Sequence, residues 1–169
     1  IPGFVDGSAH LRRVGQRLRG AEAEAGAQAP RSVEQARESL VAAVDYAVER
    51  GITTVSEAVR HPETARAYHE LALANELPIR VGLNYRMDPE SALGSTPLES
   101  VRTLGLVSGV GIESLHIETL GIDAAEHAAT VVRDIIDRAT EAGFPVSVLA
   151  ADETALDVLY SAFDGVNAS

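Results

Sequence analysis

Short apolar runs alternate along this chain with longer segments in which apolar residues recur at the spacing of an amphipathic helix. The apolar runs predict strands at residues 1–5, 51–57, 77–85, 114–118 and 144–149. The longer segments predict helices at residues 33–50, 62–75, 98–104, 124–142 and 152–163. Strands that alternate with helices through short connections are typical of βα units in a parallel sheet.

The segment at residues 33–50 carries the end signals of a helix as well as its periodicity. Ser32 precedes it as an N-cap, and Gln35 three positions on completes a capping-box pattern. Gly51 follows the last periodic residue and is suited to end the helix. The apolar face consists of Leu40, Val44, Ala47 and Val48. An amphipathic helix of this kind packs one face on a sheet.

Right-handed crossovers between parallel strands bring the C-terminal ends of all the strands to one face of the sheet. The units found here amount to just over half of an eight-stranded barrel. We therefore predict an α/β fold, a partial TIM-barrel-like (β/α) fold of about five parallel strands alternating with helices. Residues 1–169 are expected to form a single domain. Residues 12–31 have little to bury and predict a mobile loop or a poorly anchored helix.

Composition narrows the function classes. The net charge of −11 argues against a nucleic-acid partner, because phosphate binding needs clustered positive charge. Every one of the 14 basic residues is Arg, which excludes a Schiff-base, P-loop or carbamylated lysine. Cysteine is absent, which excludes disulfides, thiolate metal sites and a cysteine nucleophile. No apolar run approaches the ~20 residues that span a bilayer, so no membrane partner is expected, and the cytoplasm is the default location.

Polar side chains gather where the first predicted strand ends. Asp6, Ser8 and His10 follow its apolar part, and Gly7 lets the backbone turn sharply between them. The C-terminal ends of the strands are where a parallel α/β barrel keeps its chemistry. This end of the first strand is therefore the first candidate for a functional site.

The opening residues Ile-Pro-Gly-Phe-Val-Asp-Gly-Ser-Ala-His-Leu resemble the first-strand motif of the metal-dependent amidohydrolase superfamily, where Pro-Gly-Phe-Val-Asp leads into His-x-His. The second histidine is present as His10, and Ser8 stands at the first position. Residues 50–58, 76–81 and 141–152 are similar to the second, third and fifth strands of these proteins. The last segment resembles amidohydrolase family 3, in the branch that includes N-substituted formamide deformylases.

This resemblance implies an activity and a cofactor. Such proteins hydrolyse non-peptide C–N bonds of small-molecule substrates with the help of a divalent metal, for which zinc is the first candidate. The chain is then expected to be the N-terminal part of an amidohydrolase-type (β/α) barrel. The ligands that the family carries on its sixth and eighth strands would lie beyond Ser169.

The resemblance also maps a partly altered metal site onto this sequence. The candidate ligands are His10 and His116, the latter at the position of the fourth-strand bridging residue. Leu149 occupies the position of the fifth-strand histidine and cannot bind a metal. A catalytic zinc site generally needs about three protein ligands and an open position for water. We therefore expect a degenerate site that leaves this chain alone inactive or impaired, with no catalytic residue assigned, and that in the extreme case binds no metal.

Further side chains are expected to line the same site. His116 alternates with Leu115 and Ile117, so it should face the barrel interior, with Glu118 two positions on. The predicted lining residues are Asp6, Ser8, Glu57, Glu118 and Leu149. Carboxylates and histidines at this place would form either a nonstandard His/carboxylate site or a polar cluster whose members satisfy one another.

The other histidines and the serine of the motif are assigned no chemistry. His61, His69 and His127 lie in or near predicted helices, on the outer layer of the fold. Ser8 has His10 two residues away on the same strand, which places both side chains on one face but makes no nucleophile elbow. Serine hydrolysis is therefore not favoured.

A second hypothesis is a noncatalytic binding or assembly protein on the same scaffold, because a fold does not fix a function. Five βα units leave two open sheet edges and an uncovered inner face, and an edge strand is a template for pairing. The apolar residues expected to need cover are Val55, Val81, Ile117 and Val148. We therefore expect a homo-oligomer, or a partner chain that supplies the complementary half of the barrel.

Overall fold

The computed structural model describes residues 3–20, 29–86 and 108–163. Its strands are β1 (Phe4–Ala9), β2 (Ile52–Val59), β3 (Arg80–Arg86), β4 (Gly111–Ile112), β5 (Leu115–Asp123) and β6 (Val146–Leu149). Its helices are α1 (Leu11–Leu18), α2 (Val33–Glu49), α3 (Pro62–Leu73), α4 (Ala129–Glu141) and α5 (Glu153–Phe163), with a 3₁₀ helix at Ala124–Glu126. The helix predicted at residues 98–104 lies outside the described residues.

The strands follow the order β1-β2-β3-β5-β4 in the sheet, and β6 pairs with β5. β1 runs parallel to β2, and β6 runs parallel to β5. Five parallel strands alternate with helices, which confirms the predicted α/β fold class and its strands. The antiparallel strand β4 was not predicted, because two residues are too few to show a periodicity.

The chain divides into two compact units, Ile1–Leu83 with Gly111–His116 and Asn84–Val110 with Ile117–Ser169. In the first unit, α2 and α3 cover one face of β2. Val55 and Val81 are buried inside this unit, so the prediction that they need cover from another chain is wrong. Ile117 is likewise buried in the second unit, where helix α4 supplies the cover.

The ends of α2 follow the predicted signals. Ser32 Oγ accepts a hydrogen bond from Gln35 N at 3.1 Å, as an N-cap does. Gln35 Oε1 accepts from Arg31 N at 2.7 Å, so the side chain reaches one residue further back than in a capping box. Gly51, with φ of 75°, ends the helix in the left-handed region.

Helix α1 occupies the start of the segment 12–31, for which a mobile loop or a poorly anchored helix was predicted. The segment Leu11–Leu18 is helical and buries Leu11, Arg12, Gly15 and Gln16. A Cβ added to Gly15 would lie 1.6 Å from Ser39 O, so the backbones of α1 and α2 approach as closely as only glycine permits. This contact anchors a helix whose apolar residues Leu11, Val14 and Leu18 recur at helical spacing. Residues 21–28 lie outside the described part.

The core of the second unit lies between β5, β6 and α4. Its buried members are Ile117, Leu120, Ile122, Ala139 and Phe144. The helix predicted to begin at residue 124 begins at Ala129, because Asp123 Oδ1 accepts from Ala125 N at 3.1 Å and caps a short 3₁₀ helix first. Gly143, with φ of 81°, follows the end of α4 as predicted. Within the described ranges, no helix is long and apolar enough to cross a membrane.

Candidate functional site

The polar residues of the opening motif lie along β1 and just after it. Asp6 and Ser8 are exposed, and Ser8 N donates a hydrogen bond to Asp6 Oδ1 at 3.0 Å. Gly7 lies inside β1, where the register to β2 shifts between Asp6 and Ala9, and the chain turns only after Ala9. His10 is exposed and precedes the first residue of α1, whose N-terminus its side chain does not cap.

Glu57 lies on the other side of the sheet from where it was predicted. Burial alternates along β2, and Glu57 shares the buried face with Val55 and Val59, toward the helices. The prediction placed it in the barrel interior with His116 and Glu118. Side chains of a strand alternate between faces, so Ser56 and Ala58 occupy the interior side at this end of β2. Glu57 is therefore not a residue that lines the inner site.

The Glu57 carboxyl is 1% exposed and is held by α1 and α3. Its Oε2 accepts a hydrogen bond from Leu11 N at 2.8 Å. Burial raises the pKa of Glu57 to about 8. Backbone N–H groups of Leu11 and Arg12, the Arg12 charge and the Tyr68 hydroxyl act in the opposite direction. At neutral pH this carboxyl therefore carries its proton in most molecules.

The buried side chains of Arg12, Gln16 and Tyr68 complete this arrangement, which we call the Glu57 cluster (Leu11, Arg12, Gln16, Glu57 and Tyr68). Arg12 Nη1 donates to Gln16 Oε1 at 2.9 Å, and burial lowers the pKa of Arg12 while Glu57 opposes that shift. Tyr68 is fully buried, and burial followed by the neighbouring Glu57 charge raises the pKa of its hydroxyl. Sequence analysis missed the cluster, although β2 alternation puts Glu57 with Val55 and a buried carboxyl requires polar partners.

His116 and Glu118 alternate along β5 with buried neighbours. Leu115 and Ile117 are buried, whereas His116 and Glu118 are half-buried. His116 pairs with Gly111 of β4, in the first unit. In the second unit, Glu118 Oε2 is buried and accepts no hydrogen bond from any of the described residues.

Leu149 ends β6 opposite Asp123 of β5 and is 45% exposed. Two residues earlier, Ser147 is paired with Gly121, and Asn84 Nδ2 of β3 donates to Ser147 Oγ at 2.6 Å. A Cβ added to Gly121 would lie 2.2 Å from Asn84 Oδ1, so Asn84 reaches Ser147 only because position 121 is glycine.

A second polar contact crosses the same glycine. The Cδ atom of Arg86 would lie 2.7 Å from a Cβ at Gly121, and Arg86 Nη2 lies 3.8 Å from Asp123 Oδ2. Both side chains are largely buried. Sequence analysis missed this polar face as well, and the glycine inside an apolar strand was the available signal.

The donors present do not fit a complete metal site. The described residues contain no group of three or more His, Cys, Asp and Glu side chains that could hold a metal ion. A catalytic zinc site generally requires about three ligands from the protein. Among the described residues, no third His, Cys, Asp or Glu side chain forms a metal-binding group with His10 and His116. Their role as ligands stays a prediction.

Comparison with known proteins identifies the family. Residues 18–169 match the model of the amidohydrolase family. No curated protein matches the chain. Two solved structures are similar in fold: an uncharacterized metal-dependent hydrolase from Pyrococcus horikoshii OT3 (19% identity, TM-score 0.64) and one from Pyrococcus furiosus (18%, 0.65).

The structural overlap covers most of this chain but only part of each of the two solved structures. It covers 80% and 79% of this chain but 31% and 32% of theirs, so this chain spans about a third of their length. At this identity the similarity shows the fold, and the family match covers most of the sequence. The chain belongs to the amidohydrolase family.

Proposed function

We propose that this chain forms the first part of a metal-dependent hydrolase that cleaves non-peptide C–N bonds of a small-molecule substrate. The observation that carries the proposal is the family match over residues 18–169, on a sheet whose β1 ends at Ala9, directly before His10. Fold neighbours described as metal-dependent hydrolases support the cofactor class. We place the proposed reaction at the C-terminal ends of the strands, where His10 directly follows β1.

Zinc is the divalent metal we propose, and this chain alone is proposed to be inactive or impaired. His10 and His116 are the proposed ligands, and Leu149 supplies no donor where the resemblance places a histidine. The donors among the described residues fall short of the set that a catalytic zinc site needs. No step of the reaction is therefore assigned to a side chain here.

Metal content and hydrolysis, measured on the purified chain, test the proposal. We expect bound zinc, if present, to fall well below one ion per chain, and amide and formamide substrates to be cleaved slowly or not at all. Any bound zinc should be lost in His10→Ala and His116→Ala. The matched control is His69→Ala, on α3, which should leave metal content unchanged.

Two results would overturn parts of this proposal. Stoichiometric zinc with rapid hydrolysis would show that this chain alone is a complete enzyme. Equal zinc loss in His69→Ala and His10→Ala would show that the metal does not bind at the proposed ligands.

One observation favours a second candidate, a noncatalytic binding or assembly protein. The edge strand β1 exposes Phe4 (71%) and Val5 (72%), which is unusual for side chains of this size. We propose that this edge pairs with a second copy of the chain, or with a chain that supplies the complementary barrel half. Solution mass tests this, since the dimer expected for the wild type should become a monomer in Val5→Lys. A monomeric wild type would contradict the pairing of two copies.

A further inference from the structure

We propose that Glu57 is a positioning residue that holds His10 in place from the helix side of the sheet. The inference deepens the proposed function, on which it rests for the role of His10. It concerns a side chain that neither the family match nor the fold neighbours assign. Ala9 and Leu11, the residues on either side of His10, both contact Glu57.

Both sequence neighbours of His10 are fixed by Glu57. On one side, Ala9 is the register partner of Glu57 in the parallel β1–β2 pair. On the other side, Leu11 N donates to the Glu57 carboxyl at 2.8 Å. Ala9 and Leu11 are both buried, whereas His10 between them is exposed. Residue 57 thus contacts both neighbours of His10, Ala9 through the main-chain pairing of the strands and Leu11 through its side chain.

The first N–H groups of α1 need an acceptor, because a helix has no internal partner for them. An N-cap side chain usually provides it, but the His10 side chain makes no capping hydrogen bond. Glu57 supplies the acceptor from β2, and its backbone partners at this end of α1 are Leu11 and Arg12. The imidazole of His10 is thereby not needed for capping and can project from the strand end.

An aliphatic side chain at position 57 would fill the same space but would leave the N–H of Leu11 without its acceptor. A carboxyl in a site this buried loses its hydration, and well-packed apolar residues at such places are often as stable or more stable. Glu57 is 1% exposed and sits between Val55 and Val59, where a third aliphatic residue would extend the core. The carboxyl at this position is explained by the N–H groups from which it accepts hydrogen bonds.

Helix α1 is also held firmly enough to transmit this constraint. Gly15 meets Ser39 O of α2 at backbone contact distance, and His10 O accepts from Val14 N at 3.0 Å in the first turn. The segment from Ala9 to Gly15 is therefore tied at both ends, to β2 and to α2. Loss of the Glu57 acceptor releases the end that carries His10.

The test compares Glu57→Gln, Glu57→Asp and Glu57→Leu in the full chain, without substrate. Amide exchange at Leu11 and the imidazole proton resonances of His10 are recorded by NMR. Glu57→Asp is too short to reach Leu11 N, and Glu57→Leu has no acceptor. Both should speed exchange at Leu11 by roughly tenfold beyond the global change and shift the His10 signals. Glu57→Gln keeps an acceptor at the same reach and should remain close to the wild type.

Val55→Ala is the matched control, on the same face of β2 and equally buried. It should destabilise the unit without a selective change at Leu11 or His10. If Val55→Ala and Glu57→Asp change these two residues alike, Glu57 is only a core residue and the proposal is wrong. The proposal is also wrong if Glu57→Asp or Glu57→Leu leaves them unchanged. Stoichiometric zinc with rapid hydrolysis by this chain alone would contradict the proposed function and would leave this result intact.

Discussion

Glu57 and Leu11, 46 positions apart in the sequence, are joined by a buried hydrogen bond of 2.8 Å between Oε2 and N. The bond connects the far end of β2 to the first residue of α1. It places a carboxyl beside Arg12 and Tyr68 on the helix side of the sheet. The stability of the first unit should therefore depend on this carboxyl and on its protonation.

Truncation of Glu57 should be costly. In Glu57→Ala the buried N–H of Leu11 loses its acceptor, and the space of the side chain is left open. We expect the free energy of unfolding to fall by about 2–4 kcal/mol, measured by urea denaturation. Glu63→Ala, at an exposed position in the first turn of α3, is the control and should change it by no more than about 0.5 kcal/mol. Equal effects in the two variants would contradict the importance of the buried bond.

Stability should fall as the pH rises, because the folded-state pKa of Glu57, about 8, lies above its ordinary value of 4.5. The contribution is fully present below the ordinary value and is lost as pH rises through the folded one. The slope from this group is at most about 1.4 kcal/mol per pH unit. Urea denaturation at several pH values between 4.5 and 8 should show this decline, and Glu57→Gln should flatten it. An equally steep decline in Glu57→Gln would show that other groups cause it.

Gly15→Ala should loosen α1 from α2. Alanine adds about 1 kcal/mol of helix propensity, but its Cβ would lie 1.6 Å from Ser39 O, a backbone atom that cannot move aside. The clash should outweigh the gain in helix propensity and lower the free energy of unfolding by about 1–3 kcal/mol net. Gly7→Ala meets no atom within 4 Å and serves as the matched control in thermal and urea denaturation. A stabilised Gly15→Ala would show that the helices separate without cost.

Gly121→Ala should break the contact between Asn84 and Ser147. The added Cβ would lie 2.2 Å from Asn84 Oδ1, the end of a side chain that can rotate away. The expected loss is about 1 kcal/mol, close to that of Ser147→Ala, which removes the same hydrogen bond. The double variant should lose less than the sum of the two, because both remove the bond between Asn84 and Ser147, and Gly121→Ala additionally displaces Arg86. Full additivity in urea denaturation would contradict the shared contact.

The fold was predictable because its strands and larger helices carry strong periodic signals. Ser32 and Gly51 mark the ends of α2 by local chemistry, which the sequence displays directly. The firm anchoring of α1 escaped prediction, because it depends on a glycine that permits contact with Ser39, a long-range relation that no periodicity shows.

The candidate site was predictable only in part. The polar end of β1 follows from the order of residues, whereas the side to which Glu57 points depends on its phase within β2. Val55 was assigned to the inner face as well, so the alternation along β2 placed Glu57 with it on the wrong side of the sheet. The partners Arg12 and Tyr68 come from separate helices, and only tertiary packing brings them to one carboxyl.

The attachment of α1 also determines how the first unit responds to temperature. Of its four buried residues only Leu11 has an apolar side chain, since Arg12 and Gln16 are polar and Gly15 has none, so undocking exposes little apolar surface of α1 itself. Such an opening has a small heat-capacity change, and its free energy therefore varies almost linearly with temperature. Cooling should tighten α1 on the unit even where it weakens the aliphatic core, and warming should release α1 before that core melts.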